Sequence, residues 1–316
     1  MISVKKIDGS MFAEVYPLLK LFDDPDDDWK NVFDYSWHQE EEYCGYGLYE
    51  NQEIIGFIGL IFNQRLIDGK IERFCNIHSW KVKENYRDYS LFLLRPVLKL
   101  KNYTITDLTP SSAVCGILKQ LGFQELDSKL IILLPLQIFP TLRHSDKVHF
   151  IRDLSTIANR LKGEDLKIFQ DHKSYKCHHL LMADNQDYCH VIYTKIQTTK
   201  LPYCHLQYIS NLAVFSRYSL GIRHAIVNDS KTPFVIVDSR LIQAAKLPFA
   251  YRLPFRWIRL YKSANLKPNQ IDNLYSENIL LNLGNVPSLF KIRQELSRKA
   301  FHFFRDLLLL ISKKKI

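Results

Sequence analysis

The chain has 316 residues, a net charge of +10, 47% hydrophobic and 24% charged residues. That balance is globular, leaves room for two cores, and excludes a disordered or fibrous chain. The basic excess favours anionic partners in general, whether a phosphorylated co-substrate, a nucleic acid or a membrane surface, and selects none of them.

The opening "MISVKKIDGSMFAEV" lacks the unbroken apolar stretch and small-residue cleavage site of a secretory leader. The longest apolar run, Leu130 to Phe139, is interrupted by Pro135 and is too short to span a bilayer. Six cysteines scattered through both halves read as free thiols in a reducing compartment, so a cytoplasmic location is expected.

In chain order, a helix is expected around Ser10 to Phe22. The Asp run around Pro25 lacks the closing Glu of a calcium loop. It reads as a solvated loop or helix cap, with a grip on a cationic acceptor as the alternative. A hairpin follows over Tyr43 to Phe62, turning at Glu50-Asn51-Gln52-Glu53. Next come a strand (Arg73 to Val82), a turn with a helix (Ser90 to Leu100), and a strand (Tyr103 to Thr109). A helix closed by Gly122 and a last strand from Lys129 complete the unit.

The pattern then repeats. Asp184-Asn185-Gln186-Asp187 echoes the first hairpin turn. Cys75 precedes Tyr89 by fourteen residues, Cys204 precedes Tyr218 by fourteen, and both stretches continue Ser-Leu. A fainter echo links "LGFQEL" from Leu121 to "LPFAYRL" from Leu247. Three matches in one order indicate a duplicated α/β unit. The second copy's strands are expected at Cys189 to Lys195, Tyr203 to Ile209, Phe234 to Val237 and Trp257 to Tyr261.

Two motifs carry a family resemblance. "WKVKENYRDYSLFLL" supplies Val82, Tyr86 and Arg87, and "LKQLGFQEL" supplies Leu121, Gly122 and Phe123. With the element order, these resemble the GNAT superfamily of acyl-CoA N-acyltransferases over most of residues 1–135, and more faintly over 150–265. The resemblance implies an α/β fold (an α+β mixed sheet) in two tandem GNAT-like domains. They are residues 1–140 and a degenerate second copy, 141–285, followed by a basic amphipathic C-terminal helix, 286–316. It also implies an acyl-CoA or acyl-phosphopantetheine co-substrate, an amine acceptor and no metal.

In that family the backbone of the strand–helix turn holds the CoA pyrophosphate, and glycines let it approach closely. The matching donor-binding positions here are Val82, Arg87, Asp88, Tyr89, Ser90, Leu91 and Phe92. Ser90 and Phe92 replace the glycine-type residues, so the turn is glycine-poor, and a carrier-held phosphopantetheine stands beside free CoA as donor. The Val82 N–H corresponds to the oxyanion donor. Strand alternation puts Asn76, His78, Trp80 and Val82 on one face and Cys75, Ile77 and Ser79 on the other. His78 is the candidate base, with a structural histidine as the bland alternative. The family's leaving-group tyrosine position is Leu118. In the second copy Ser219 stands opposite Ser90, Gly221 opposite Phe92, Ser216 opposite Arg87 and Pro248 opposite Gly122, so a separate second centre is not expected.

Other features carry less. Cys177, His178, His179, Cys189 and His190 lack a Cys-x-x-Cys hook, which speaks against zinc. No nucleic-acid recognition motif is present. Phe301, Phe304, Leu308 and Ile311 fall near one face of the C-terminal helix. It either packs on the second domain or makes a peripheral membrane or protein contact. The reading is an acyltransferase acting on an amine; the alternative is a non-catalytic GNAT-fold module that binds a pantetheine ligand or a protein.

Overall fold

In the first half, β1 (Ile2–Ile7), β2 (Gly45–Glu50), β3 (Glu53–Ile67), β4 (Lys70–Val82) and β5 (Tyr103–Asp107) lie side by side in one sheet. The computed structural model describes residues 1–22, 28–37, 43–135, 148–197, 202–243 and 245–283, with backbone alone at 254–256. The C-terminal helix expected over 286–316 and part of the Asp run lie outside the described residues. Helix α1 (Phe12–Leu19) follows β1, and α2 (Ser90–Val97) joins β4 to β5. Helix α3 (Ser112–Gln120) leads to the short β6 (Gln124–Glu125) and to β7 (Lys129–Leu133). The second half holds β8 (His149–Ile151), α4 (Leu154–Arg160), α5 (Gly163–His172), β9 (His178–Ala183), β10 (Tyr188–Ile196) and β11 (Tyr203–Ile209). Then come α6 (Leu212–Ser230), β12 (Val235–Asp238), α7 (Ser239–Ile242), β13 (Ala250–Arg256), β14 (Leu260–Lys262) and α8 (Glu277–Leu280).

Local chemistry explains most of these elements. The β2–β3 hairpin turns at Asn51 and Gln52, with φ of 46° and 75°, the left-handed pair that suits the twist of flanking strands. Its counterpart closes differently: the Asp184 carboxylate accepts the amides of Gln186 at 2.8 Å and Asp187 at 2.7 Å. Helix α3 starts where Ser111 Oγ accepts the Val114 N–H, and ends at Gly122 with φ 84°. Strand β3 is a continuous apolar run because both its faces are covered. Phe57 and Ile61 face α1, while Ile58, Leu60 and Phe62 face α2 and α3.

The two sheets share one topology. The first reads β1-β2-β3-β4-β5-β14-β6 and the second β8-β9-β10-β11-β12-β7-β13. Cys75 in β4 pairs in parallel with Ile105 in β5, and Cys204 in β11 pairs in parallel with Val235 in β12. Tyr89 ends a 3₁₀ turn (Glu84–Tyr89) with φ −91° and ψ 0°. Tyr218 breaks α6 with φ −108° and ψ 17°, the same interruption in the second copy.

One expectation is corrected. Strand β7, read as the last strand of the first unit, pairs with β12 and β13 in the second sheet. The strand expected at Trp257 to Tyr261 in the second copy is likewise displaced: as β14 it fills the corresponding gap between β5 and β6 in the first sheet. The halves therefore exchange a strand, which residue pattern cannot reveal because it marks a strand without saying which sheet receives it. A buried ionic cluster sits beside the crossover. Asp238 accepts hydrogen bonds from Ser128 at 2.6 Å, Arg259 at 2.9 Å and Arg240 at 2.8 Å, and Arg259 also donates to Asn273. Burial pushes the Asp238 carboxyl up, and Arg259 and Arg240 more than reverse this, bringing it to about 2. A second tie is Trp37 of the first half, which packs against His172, Tyr175 and Tyr275 and donates to the Asp171 carbonyl at 2.7 Å.

Since each sheet takes its sixth strand from the other half, neither half is expected to fold alone. The full chain should melt in one calorimetric transition, and two separable transitions would contradict the exchange. Arg259→Ala leaves the buried Asp238 with Arg240 as its remaining cation and is expected to cost about 1.5–3 kcal/mol, read from the denaturant midpoint.

Candidate active site

β4 and β5 pair from Arg73 and Tyr103 to Ile77 and Asp107; there β5 stops, while β4 runs on to Val82. Along its other edge β4 stays with β3, but the register slips: Gly59 faces His78, whereas Phe57 faces Lys81. The extra residue forms a bulge at Ser79, whose φ of 50° is left-handed. A bulge reverses which face later residues occupy. Asn76 and His78 therefore lie on the Phe57 side, while Trp80 and Val82 join Cys75 and Ile77 against α2 and α3. The expectation that all four residues of the alternating set share a face fails beyond the bulge.

A cavity of about 780 Å³ opens where the strands part. β4 contributes Ile77 to Lys81, and the end of β5 contributes Asp107 to Pro110. The second half supplies Trp257 and Ile258, just before the exchanged β14, and Glu277 and Leu281 from the α8 region. Phe22 and Trp29 close another wall.

Two buried carboxyl groups meet here. Glu277 accepts hydrogen bonds from Asn76 Nδ2 and from Thr109 Oγ1 at 2.7 Å, and Asn76 is itself fixed by Thr106 Oγ1 at 2.9 Å. Asp107 accepts the Thr109 N–H at 3.3 Å. Burial raises the Glu277 carboxyl against the hydrogen bonds from Thr109 and Asn76. Burial, and then the neighbouring Glu277 charge, hold Asp107 well above the usual carboxylate range. Of the two, Asp107 holds its proton the more tightly and ionises only with a cation beside it, while Glu277 is the one its donors favour as an anion.

The sequence-predicted residues separate into groups. Asn76 reaches the carboxylates. His78 lines the cavity, but its ring lies flat against Gly59, where any side chain would collide with it. Its Nδ1 is 2.9 Å from the Ser79 hydroxyl, and burial pushes the imidazole down to about 3, so it stays neutral at physiological pH. Val82 pairs with Gly56 in the regular ladder and does not line the cavity. Arg87, Asp88, Tyr89, Ser90, Leu91 and Phe92 do not line it either. Ser90 does begin α2, but the preceding turn is wound as a 3₁₀ helix. Its Tyr86 amide is spent on the Lys83 carbonyl, and the Ser90 amide on that of Arg87. Tyr89, Leu91 and Phe92 are exposed, and Arg87 pairs loosely with Glu84 at 3.5 Å.

In the second copy, Ser219 is buried inside α6 and accepts a hydrogen bond from the buried Arg223 at 2.8 Å. Gln207, in the β11 bulge, donates to Thr194 at 3.1 Å and to His205 at 2.9 Å. Of the Cys/His group, His179 and His190 stack and share a contact of 3.1 Å. Among the described residues no set of three or more His, Cys, Asp or Glu is arranged to hold a metal. None of the described helices is long and apolar enough to cross a membrane.

Sequence reasoning missed both carboxylates. Asp107 left a signal, a lone acid at the end of the apolar strand "YTITD". Glu277 left none, because only the tertiary fold brings it to β4.

Both carboxyls bind a proton more tightly folded than unfolded. Stability is therefore lost as pH rises from the unfolded carboxylate range toward their folded values. Asp107→Asn is expected to raise the melting temperature at pH 7 and to change it little near about pH 3, where both states are protonated. A pH-independent difference would contradict this assignment.

No protein-family model matches the sequence, and no curated protein sequence matches it. Solved structures do match in fold. A GCN5-related N-acetyltransferase from Anabaena variabilis aligns over 83% of this chain and 72% of its own, with TM-score 0.54 and 15% identity. A conserved protein from Enterococcus faecalis, described as a probable N-acyltransferase, aligns over 85% and 74%, with TM-score 0.55 and 12% identity. A GCN5-related N-acetyltransferase from Kribbella flavida aligns over 83% and 72%, with TM-score 0.53 and 12% identity. With its two matching mixed sheets, the chain has the fold of the GCN5-related N-acetyltransferases, the GNAT fold, in tandem.

Proposed function

We propose that the cleft transfers an acyl group from a thioester, either acyl-CoA or an acyl-phosphopantetheine, to an amine. The observation that carries this reading is Glu277: a buried carboxylate, oriented by Asn76 and Thr109, in the cavity beside the β4 bulge. Such a group is a general base with a pKa shifted toward neutrality.

The amine arrives as its ammonium form and gives one proton to Glu277. Its nitrogen then attacks the thioester carbonyl carbon. Negative charge collects on the carbonyl oxygen, and the amides at Ser79 and Trp80, released from regular pairing by the bulge, are the donors assigned to it. Collapse breaks the carbon–sulfur bond; the nitrogen loses a second proton to the departing sulfur, leaving amide and thiol. His78 has a positioning role, wedged against Gly59 and holding the Ser79 hydroxyl.

The parted strands also suit the donor. Beyond Ile77 the β5-facing edge of β4 has no β5 partner, and the amides of a pantetheine arm can pair along such an edge. The glycine-free turn, with its Tyr86 and Ser90 amides already committed, favours a carrier-held phosphopantetheine, or a ligand-binding module without catalysis, over a tight grip on free CoA.

The test pairs acyl-CoA and acyl-carrier donors with a panel of amines and follows product by mass spectrometry. Glu277→Gln should lower turnover by about a hundredfold to ten-thousandfold with the fold intact. His78→Ala should lower it less. Wild-type activity should climb with pH as Glu277 loses its proton, above the ordinary carboxylate range. Pantetheine binding with no transfer from any donor would leave the binding-module reading.

A further inference from the structure

Asp107 is 4% exposed and lines the cavity. One of its oxygens takes the Thr109 N–H at 3.3 Å; no donor among the described residues reaches the other. A buried carboxyl group with an uncommitted oxygen facing a cavity is built to meet something that enters it. We infer that the acceptor is a cationic amine carried on an apolar or aromatic body, with Asp107 as the residue that anchors its ammonium. This rests on the acyl-transfer reading and adds the acceptor's class to it.

Charge supports the inference first. The chain is basic overall, at +10, yet among the described residues this cavity is lined by two acids and a single cation, Lys81. That cation is occupied: Lys81 Nζ donates to the Leu21 carbonyl at 3.3 Å and lies 5.1 Å from the centre of the Phe22 ring. Arg259, behind the wall, is committed to Asp238 and Asn273. An anionic acceptor would face two carboxyl groups with no free cation among the described residues to balance it. A cation finds the opposite.

The walls supply the second argument. Phe22, Trp29, Trp80 and Trp257 surround the cavity, with Leu108 and Ile258 between them. Aromatic faces attract an ammonium and bury an apolar body, but they cannot satisfy the hydroxyls of a sugar. Glu277, on the same cavity, then takes the proton, so the two carboxyl groups divide anchoring from proton removal. A helix-cap or loop role for the Asp run near Trp29 is compatible, since the anchor lies on β5.

The experiment is calorimetric binding to the full chain without any donor. Phenethylamine and octylamine should bind; phenylacetate, the anionic analogue, and glucosamine, a polyhydroxy amine, should not. Asp107→Asn should weaken phenethylamine by about tenfold or more, a typical loss for one charge-assisted hydrogen bond. Its melting curve reports whether it folds, and the wild-type preference for amine over anion tests the inference without any variant. Equal binding of phenylacetate or glucosamine, no amine binding, or a folded Asp107→Asn with unchanged affinity would overturn it. Selective, Asp107-dependent amine binding without acyl transfer would sustain the anchor and defeat the enzymatic reading. Transfer to a sugar or an anionic acceptor would do the reverse.

Discussion

Strand exchange between the two halves is the constraint from which the cleft follows. Strand β14 can sit between β5 and β6 only if the second half lies against the first, and that placement brings Trp257 and Ile258 to the cavity wall. The chain then continues past Asn273 to α8 and delivers Glu277 to Asn76. The ion cluster of Asp238, Arg240 and Arg259 sits beside the crossover and has no slack, because Asp238 and Arg259 are both buried. Such a cluster is a weak source of net stability but a strong specifier of arrangement, since every alternative leaves a charge unpaired.

Within that frame, one inserted residue decides the chemistry of the first sheet. Ser79 in the left-handed region widens the gap that β5 leaves by stopping at Asp107. Gly59 is the matching concession on the neighbouring strand, because only a hydrogen at its α-carbon leaves room for the His78 ring. The histidine is thereby desolvated and neutral, suited to shape and unsuited to proton capture. The second sheet has a bulge at the corresponding place, but Gln207 and His205 bond to each other there, and His205 packs on Trp257. Duplication thus preserved the backbone device while the two copies diverged in what fills it.

The electrostatics of the cleft come from burial more than from partners. Glu277 and Asp107 share a poorly solvated space, and only one of them keeps its charge at low cost. Asn76, Thr106 and Thr109 are neutral hydrogen-bonding groups, so they orient the carboxylate without quenching its basicity, as a salt bridge would. This contrast separates the cleft from the Asp238 cluster, where two arginines hold a carboxylate permanently ionised.

What was legible in the sequence was local. The Asn51 turn, the Gly122 cap, the start of α2 at Ser90 and the paired strands at Cys75 and Cys204 all depend on neighbours a few residues away, so residue type and spacing determined them. The duplicated mixed-sheet fold followed from the order of those elements. The site was legible in part: Asn76 and His78 were placed on the correct strand, but alternation carried past residue 79 misplaced Trp80 and Val82, since a bulge leaves no reliable mark in residue type. The turn at Arg87 to Phe92 was located correctly, while its winding was not evident. Strand exchange, the carboxylate pair and the aromatic walls were decided by tertiary structure alone. Glu277 stands 201 positions from the Asn76 that orients it. Contacts at that separation are set by which strand fills which gap in a sheet, and a short strand carries no local signal to say which gap it will fill.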